Sequence, residues 1–204
     1  MCKRAVFVFA FVFCCMHFYG QDKRHAIRVG FNYGFGNEIK NSDFSHTNSS
    51  FKFQFNYRLK EGRKFNYELL LQPELNLATH QLLNPYFIGE NEPDYIEKRV
   101  KYGNKRTIRE YIFNIGFIDR KPISESLSVY LLGSVGPMLI DKETERLPSG
   151  LAFSDVIALG ASLKSKKIQF DLRPSFRHVS NAGLQSPNSG FNTMNIEFGF
   201  TLGL

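Results

Sequence analysis

The sequence predicts an all-β protein whose fold class is an eight-stranded antiparallel up-and-down transmembrane β-barrel. Apolar and polar side chains alternate along eight segments, which is typical of strands with one apolar and one polar face. The connections between these segments alternate between long and short, and the chain holds 21 Phe and 9 Tyr among 204 residues. A small soluble domain does not readily bury that many aromatic side chains, so the apolar faces are expected to contact lipid. The 43% hydrophobic content excludes a disordered chain.

The N-terminal segment 1–20 is predicted to be a secretory signal peptide. Lys3 and Arg4 form its basic start, and the apolar run 5–15 that follows is too short to span a bilayer as a helix. All three cysteines of the chain lie in this segment. The remaining residues, 21–204, are predicted to form one barrel domain that has neither disulfides nor thiol chemistry.

Alternation with a period of two residues defines the strands, because successive side chains of a strand point to opposite faces. In the first segment, Phe31 and Tyr33 share one face while Asn32 and Gly34 share the other. The fifth segment alternates least cleanly, and the eighth runs to the C-terminus. The eight predicted strands are 27–36, 51–59, 67–77, 108–119, 127–137, 154–164, 167–180 and 191–204.

Long predicted connections follow the first, third, fifth and seventh strands, and short ones lie between them. Outer-membrane barrels have short periplasmic turns and longer external loops. The alternation therefore indicates that the long connections share the external rim. The long connections are 37–50, 78–107, 138–153 and 181–190, and the short ones are 60–66, 120–126 and 165–166.

The two faces of the predicted strands differ in a way that favours lipid outside the barrel. A soluble lipocalin-like barrel would turn its apolar row inward. Here the apolar faces carry uniformly large side chains, whereas the opposite faces carry charged ones. Eight strands leave an interior that side chains fill, so the inward charges are interpreted as a structural network in a barrel without a pore. The charged residues in the inward phase include Glu110, Asp171, Arg173, Arg177 and Glu197.

Two polar residues interrupt the outward face of the seventh strand at its external end. His178 and Ser180 continue the row that contains Phe176, although such side chains are costly against acyl chains. Residues i and i+2 lie about 7 Å apart on one strand face. A histidine and a serine at that spacing can form a nucleophile–base hydrogen bond. Asn192 shares the outward phase of the last strand and completes a triad-shaped group. The alternative interpretation is ordinary polarity at the membrane interface.

The stretch 178–190, which reads HVSNAGLQSPNSG, resembles the signature of the lipid A 3-O-deacylase (PagL-type) or acyloxyacyl hydrolase family. Members of this family are eight-stranded outer-membrane barrels that hydrolyse an ester-linked acyl chain of lipopolysaccharide. The resemblance implies that Ser180 is the nucleophile and that His178 is its general base. The residues implied to support the oxyanion are Asn181, Gly183 through its backbone amide, and Asn188.

The chain departs from the family pattern at the third triad position. Where the family has a glutamate, this sequence has Asn192. A carboxylate fixes the histidine tautomer and stabilises its cation, and exchanging the acid for an amide can cost about 10⁴ in the rate of a serine triad. An asparagine carbonyl can still accept the imidazole N–H, as in Cys-His-Asn sites. Glu197 has the inward phase and no other acid is expected on the outward face nearby, so attenuated or altered activity is expected.

The remaining features limit the cofactors and partners. The sequence contains no metal-ligand cluster and no phosphate-binding loop, so neither a metal nor a cofactor is expected. The resemblance implies lipopolysaccharide as the substrate and outer-membrane lipid as the surroundings. Despite a net charge of +7, nucleic-acid binding is not expected of an exported barrel. Basic residues in the second long connection are interpreted as a solvated cluster first and as contacts to lipid A phosphates second. These residues are Lys98, Arg99, Lys101, Lys105 and Arg106.

The sequence thus predicts a serine esterase of the Gram-negative outer membrane, a hydrolase that modifies lipopolysaccharide. A second hypothesis comes from another class of protein: a non-enzymatic barrel that serves adhesion, envelope stability or host interaction through the connections 37–50 and 78–107. Ester hydrolysis that is lost with Ser180→Ala separates the two. The oligomeric state and the acyl position that is cleaved stay open at this point.

Overall fold

The computed structural model describes residues 26–39 and 42–204. The predicted signal peptide, 1–20, lies outside the described residues. Eight antiparallel strands form one closed barrel, in which each strand pairs with its neighbours in sequence and the first pairs with the last. The predicted fold class is confirmed. The strands are β1 (Ile27–Glu38), β2 (Phe44–Glu61), β3 (Asn66–Leu82), β4 (Arg106–Pro122), β5 (Leu127–Ile140), β6 (Gly150–Ser165), β7 (Ile168–Ser180) and β8 (Phe191–Gly203).

One predicted connection is wrong. The long connection expected over 37–50 is only 39–43, because β2 already begins at Phe44. The start of β2 is polar on both faces: His46 is buried in the lumen, and the next residue, Thr47, is exposed on the outer wall. A stretch of this kind shows no hydrophobic alternation, so a search for that pattern does not detect it.

The other connections follow the predicted alternation of long and short. The turns 62–65, 123–126 and 166–167 are at one rim. At the opposite rim, the longest connection contains a 3-10 turn (Pro85–Phe87) and the helix α1 (Tyr95–Gly103). Among the described residues, no helix is long and apolar enough to cross a membrane.

The lumen of the barrel is filled by polar and charged side chains that bind one another. Glu197 is fully buried and accepts hydrogen bonds from Arg173 at 2.7 and 2.9 Å. The Nζ atom of Lys52 lies 2.8 Å from the same carboxylate. Arg177 donates to Glu74 at 2.5 Å. Burying a charge is costly unless the charge is paired. The lumen can hold these charged side chains because they pair with one another. The predicted inward residues are all buried: Glu110, Asp171, Arg173, Arg177 and Glu197.

An apolar cluster closes the lumen at the rim that carries α1. Val179 of β7 and Phe191 of β8 belong to it, and both are buried. Leu147, from the connection between β5 and β6, packs into the same cluster. The inward side chains at these ends of β7 and β8 are therefore held firmly. The outward residues next to them in sequence therefore lie on a rigid part of the wall. These residues are His178, Ser180 and Asn192.

We expect Glu197→Ala to lower the free energy of unfolding by about 3–5 kcal/mol, because it leaves two buried cations short of an anion. The measurement is urea-induced unfolding of the barrel in lipid vesicles. The control is Glu61→Ala, since Glu61 pairs with Arg58 at 2.7 Å on the exposed surface, where such pairs contribute about 1 kcal/mol or less. Equal and small effects of the two substitutions would contradict a structural role for the lumen network.

Candidate active site

Pairing of β7 with β8 brings His178 directly opposite Asn192 on the outer wall. The Nδ1 atom of His178 lies 2.8 Å from Oδ1 of Asn192. An amide oxygen only accepts, so in this hydrogen bond Nδ1 donates its proton. The other ring nitrogen, Nε2, is then the basic one. This is the tautomer that a general base beside a serine requires.

Ser180 lies on the same outward face as His178, two residues further along β7. Both side chains are half-buried, whereas Asn192 is exposed. In the described part of the chain, no hydrogen bond joins Ser180 to His178. Hydrogen bonds of catalytic groups are often long without substrate and shorten in the complex. The structure thus brings His178 and Asn192 together and leaves Ser180 on the adjoining patch of wall.

A carboxylate that the sequence analysis missed lies on the other side of His178. Pairing of β6 with β7 sets Asp155 directly opposite His178, and Asp155 is exposed on the outer wall. The expectation that no acid other than the inward Glu197 occurs near His178 is therefore wrong. A signal was present in the sequence, because Asp155 is the acid in an outward row of β6 that otherwise contains Phe153 and Ile157. Its relation to His178 depends on strand register, which that pattern does not give.

The connection after β7, residues 181–190, is held by the side chain of Asn181. The amide nitrogen of Asn181 donates to the carbonyl of Gln185 at 2.8 Å and to that of Pro187 at 3.3 Å. Its Oδ1 accepts from the backbone N–H of Gly183 at 3.0 Å. The backbone N–H of Asn181 donates to Oδ1 of Asn188 at 2.8 Å.

These contacts bear on the predicted oxyanion residues. The side chain of Asn181 and the N–H of Gly183 are engaged within the connection. The amide nitrogen of Asn188 has no hydrogen-bond partner among the described residues, and the residue is exposed. The role of all three in supporting an oxyanion stays a prediction.

Arg146, which the sequence analysis also missed, links this connection to the connection between β5 and β6. Its guanidinium donates to the carbonyls of Gly190 at 2.5 Å and Ser189 at 3.2 Å, and it packs on the ring of Phe44 at 4.6 Å from the ring centroid. Gly190 has a φ of 57°, and a Cβ there would lie 2.4 Å from the carbonyl oxygen of Val179 and 3.7 Å from the His178 ring. Glycine is thus required beside the histidine.

Most of the predicted basic cluster already has protein partners. Lys98 pairs with Glu92 at 3.3 Å, and Lys101 pairs with Glu143. The bond from Lys101 also holds the pKa of Glu143 below its usual value. The other two paired members bind carbonyls, Arg99 that of Ile88 and Arg106 that of Glu143. Lys105 is the exposed member without a partner among the described residues. The second interpretation of this cluster, contact with the phosphates of lipid A, stays a prediction.

An apolar groove of about 640 Å³ begins at His178 and Asp155 and crosses the outer wall. Gly133 lies in its middle, paired with Phe117 on one side and Ile157 on the other. A Cβ at Gly133 would have no atom within 4 Å, so the missing side chain creates open space. The groove is lined by Leu69, Ile115, Gly116, Phe117, Gly133, Ser134, Val135, Asp155, Val156, Ile157, Phe176 and His178.

The fold and this site define a class: a transmembrane barrel of the outer-membrane type that carries a polar cluster on its lipid-facing wall. Residues 102–201 match the family model described as Lipid A 3-O-deacylase (PagL). This match includes the stretch 178–190 and confirms the resemblance found there. No curated protein sequence matches the chain.

Two examples of solved structures that share the fold are the outer membrane enzyme PagL and Neisserial surface protein A (NspA). The outer membrane enzyme PagL is 12% identical, covers 86% of this chain and 99% of its own, and superposes with a TM-score of 0.60. Neisserial surface protein A (NspA) is 10% identical, covers 88% of this chain and 97% of its own, and has a TM-score of 0.50. At such identities these likenesses establish the barrel alone.

We expect Asn181→Ala to accelerate amide hydrogen exchange in 181–190, by about tenfold or more at Gly183, because each lost hydrogen bond contributes about 1 kcal/mol. Hydrogen-exchange mass spectrometry measures this. The matched control is Gln185→Ala, because Gln185 accepts the hydrogen bond from Asn181 through its backbone carbonyl and not through its side chain. Unchanged exchange in Asn181→Ala would show that the connection is ordered by other contacts.

Proposed function

We propose that the chain is a serine esterase of the outer membrane that hydrolyses an ester-linked acyl chain of lipopolysaccharide. The observation that carries this proposal is the 2.8 Å hydrogen bond between His178 and Asn192 on the lipid-facing wall, beside Ser180. The match to the lipid A 3-O-deacylase family spans all three residues. The proposal includes export by the signal peptide 1–20 and a mature barrel domain over 21–204.

In the proposed reaction, Ser180 Oγ attacks the ester carbonyl carbon and its proton passes to Nε2 of His178. The carbonyl oxygen becomes an oxyanion. Of the candidate donors Asn181, Gly183 and Asn188, the amide nitrogen of Asn188 is the one that has no hydrogen-bond partner among the described residues. The tetrahedral intermediate collapses, and the carbohydrate hydroxyl leaves with the proton from His178. Water then attacks the acyl-serine, again with His178 as base, and releases the fatty acid.

The position of the site suits a substrate that stays in the membrane. Acyl chains of lipopolysaccharide lie beside the wall of an outer-membrane barrel, so the scissile ester can reach Ser180 without entering the lumen. The groove at Gly133 is the proposed place of the acyl chain, since it is apolar and begins at His178. Lys105 is the member of the basic cluster best suited to a lipid A phosphate, because it is exposed and its neighbours in that cluster are engaged.

Ser180→Ala and His178→Ala should each lower ester hydrolysis by about 10³-fold or more, because each removes a group that acts in bond formation. The assay uses purified protein in detergent with a short-chain ester, followed by mass spectrometry of lipid A from cells with each variant. Heat-modifiable migration should stay unchanged, since both side chains point away from the lumen. Full activity of Ser180→Ala would exclude Ser180 as the nucleophile, whereas an absence of hydrolysis in the wild type would favour a non-enzymatic barrel.

Gly133→Phe should raise KM for long-chain esters by about tenfold and leave KM for short-chain esters nearly unchanged, because the ring would fill the groove. Gly133→Ala is the control, with a smaller effect. Both side chains project outward, so the barrel should fold in each case. If KM for long chains stays constant, the acyl chain lies elsewhere on the wall, whatever the result for Ser180.

A further inference from the structure

His178 lies between two polar neighbours, one on each adjoining strand. Asn192 is opposite it in β8 and Asp155 is opposite it in β6. Side chains directly opposite each other on one face of an antiparallel pair have Cβ atoms about 4.5–5.5 Å apart. The imidazole is therefore flanked by a neutral amide from one adjoining strand and by a carboxylate from the other.

We propose that Asp155 is a positioning residue that supplies, from β6, the negative charge beside His178 that Asn192 lacks. This inference rests on the proposed function of Ser180 and His178. A triad carboxylate has two effects: it holds the tautomer of the histidine and it stabilises the imidazolium. In this chain the two effects are divided, because Asn192 accepts a hydrogen bond from Nδ1–H and Asp155 provides the anion.

The surroundings of His178 contain no competing charge on the outer face within the described residues. From its own strand, Arg177 points into the lumen, where it binds Glu74. Among the cations of the connections, Arg146 is directed at the carbonyls of Gly190 and Ser189. Asp155 is thus the charged group that faces the ring from a neighbouring strand, so its effect on the imidazolium is not cancelled.

The place of Asp155 in β6 indicates a role beyond surface polarity. The outward neighbours on the same strand are Leu151, Phe153, Ile157 and Leu159, which form an apolar row. A carboxylate in a lipid-facing row is costly, so ionisable residues in such places commonly serve function. The groove that runs from His178 is also lined by Asp155, so the carboxylate would border the reacting ester.

The test is Asp155→Asn in purified protein with a short-chain ester. We expect kcat to fall about tenfold at constant KM, because the anion acts as His178 takes the proton and contributes little to substrate binding. Loss of a carboxylate that only maintained the wall would not lower kcat at constant KM.

Two further variants make the test specific. Asp119→Asn is the matched control. Asp119 is an outward carboxylate on β4, near the end that leads into the turn 123–126. It pairs with Leu131 rather than with a histidine. This control should leave kcat unchanged. Asn192→Glu added to Asp155→Asn should restore kcat, because it returns an anion to the other side of the ring. Asp155→Glu keeps the charge if the amide variant does not fold, and should retain most of kcat.

The outcomes separate this inference from the proposed function. If the wild type hydrolyses the ester, Ser180→Ala does not, and Asp155→Asn keeps the kcat of the wild type, the inference is overturned while the function stands. Equal losses in Asp155→Asn and Asp119→Asn, or a failure of Asn192→Glu to restore kcat, would overturn the role of charge. If the wild type itself hydrolyses no ester, both proposals fail.

Discussion

Closure of the sheet is the constraint on which the rest of the structure depends. In a bilayer every backbone N–H and C=O group needs a partner inside the protein, and a barrel without edges provides one for each strand. Here β1 pairs with β8 over Arg28–Glu38, so the first and last strands are as fully bonded as the central ones. Closure also fixes the neighbours of every side chain on the wall, because each strand is held in register from both sides.

The closed sheet separates stability from chemistry. Its inner face carries the paired charges of Lys52, Glu74, Arg173, Arg177 and Glu197, which need each other because they are shielded from water. Its outer face contacts lipid. This face tolerates substitution wherever a side chain does not pack against the rest of the protein. β7 serves both purposes with alternate residues: Arg177 and Val179 point inward, whereas His178 and Ser180 point outward. An outward substitution therefore tests the reaction without disturbing the lumen.

The candidate site is assembled from three strands and two connections. β7 supplies His178 and Ser180, and the adjoining strands supply Asn192 and Asp155. The connection 181–190 is ordered by Asn181 from within and by Arg146 from the connection between β5 and β6. The amide of Asn192 does not leave His178 without a neighbouring acid, because the fold places the Asp155 carboxylate on the opposite side of the imidazole. The proposed division between tautomer and charge follows from that placement.

The sequence by itself determined the eight strands, the inward and outward faces and the family signature at 178–190. It could do so because strand alternation and short motifs are local properties of the chain. It failed where no local signal exists: the polar start of β2 at Phe44 was assigned to a connection. It also could not relate Asp155 to His178 or Arg146 to Gly190, which are far apart in sequence. Only the tertiary structure decided these neighbours, because the register between paired strands and the packing of connections arise when the barrel closes.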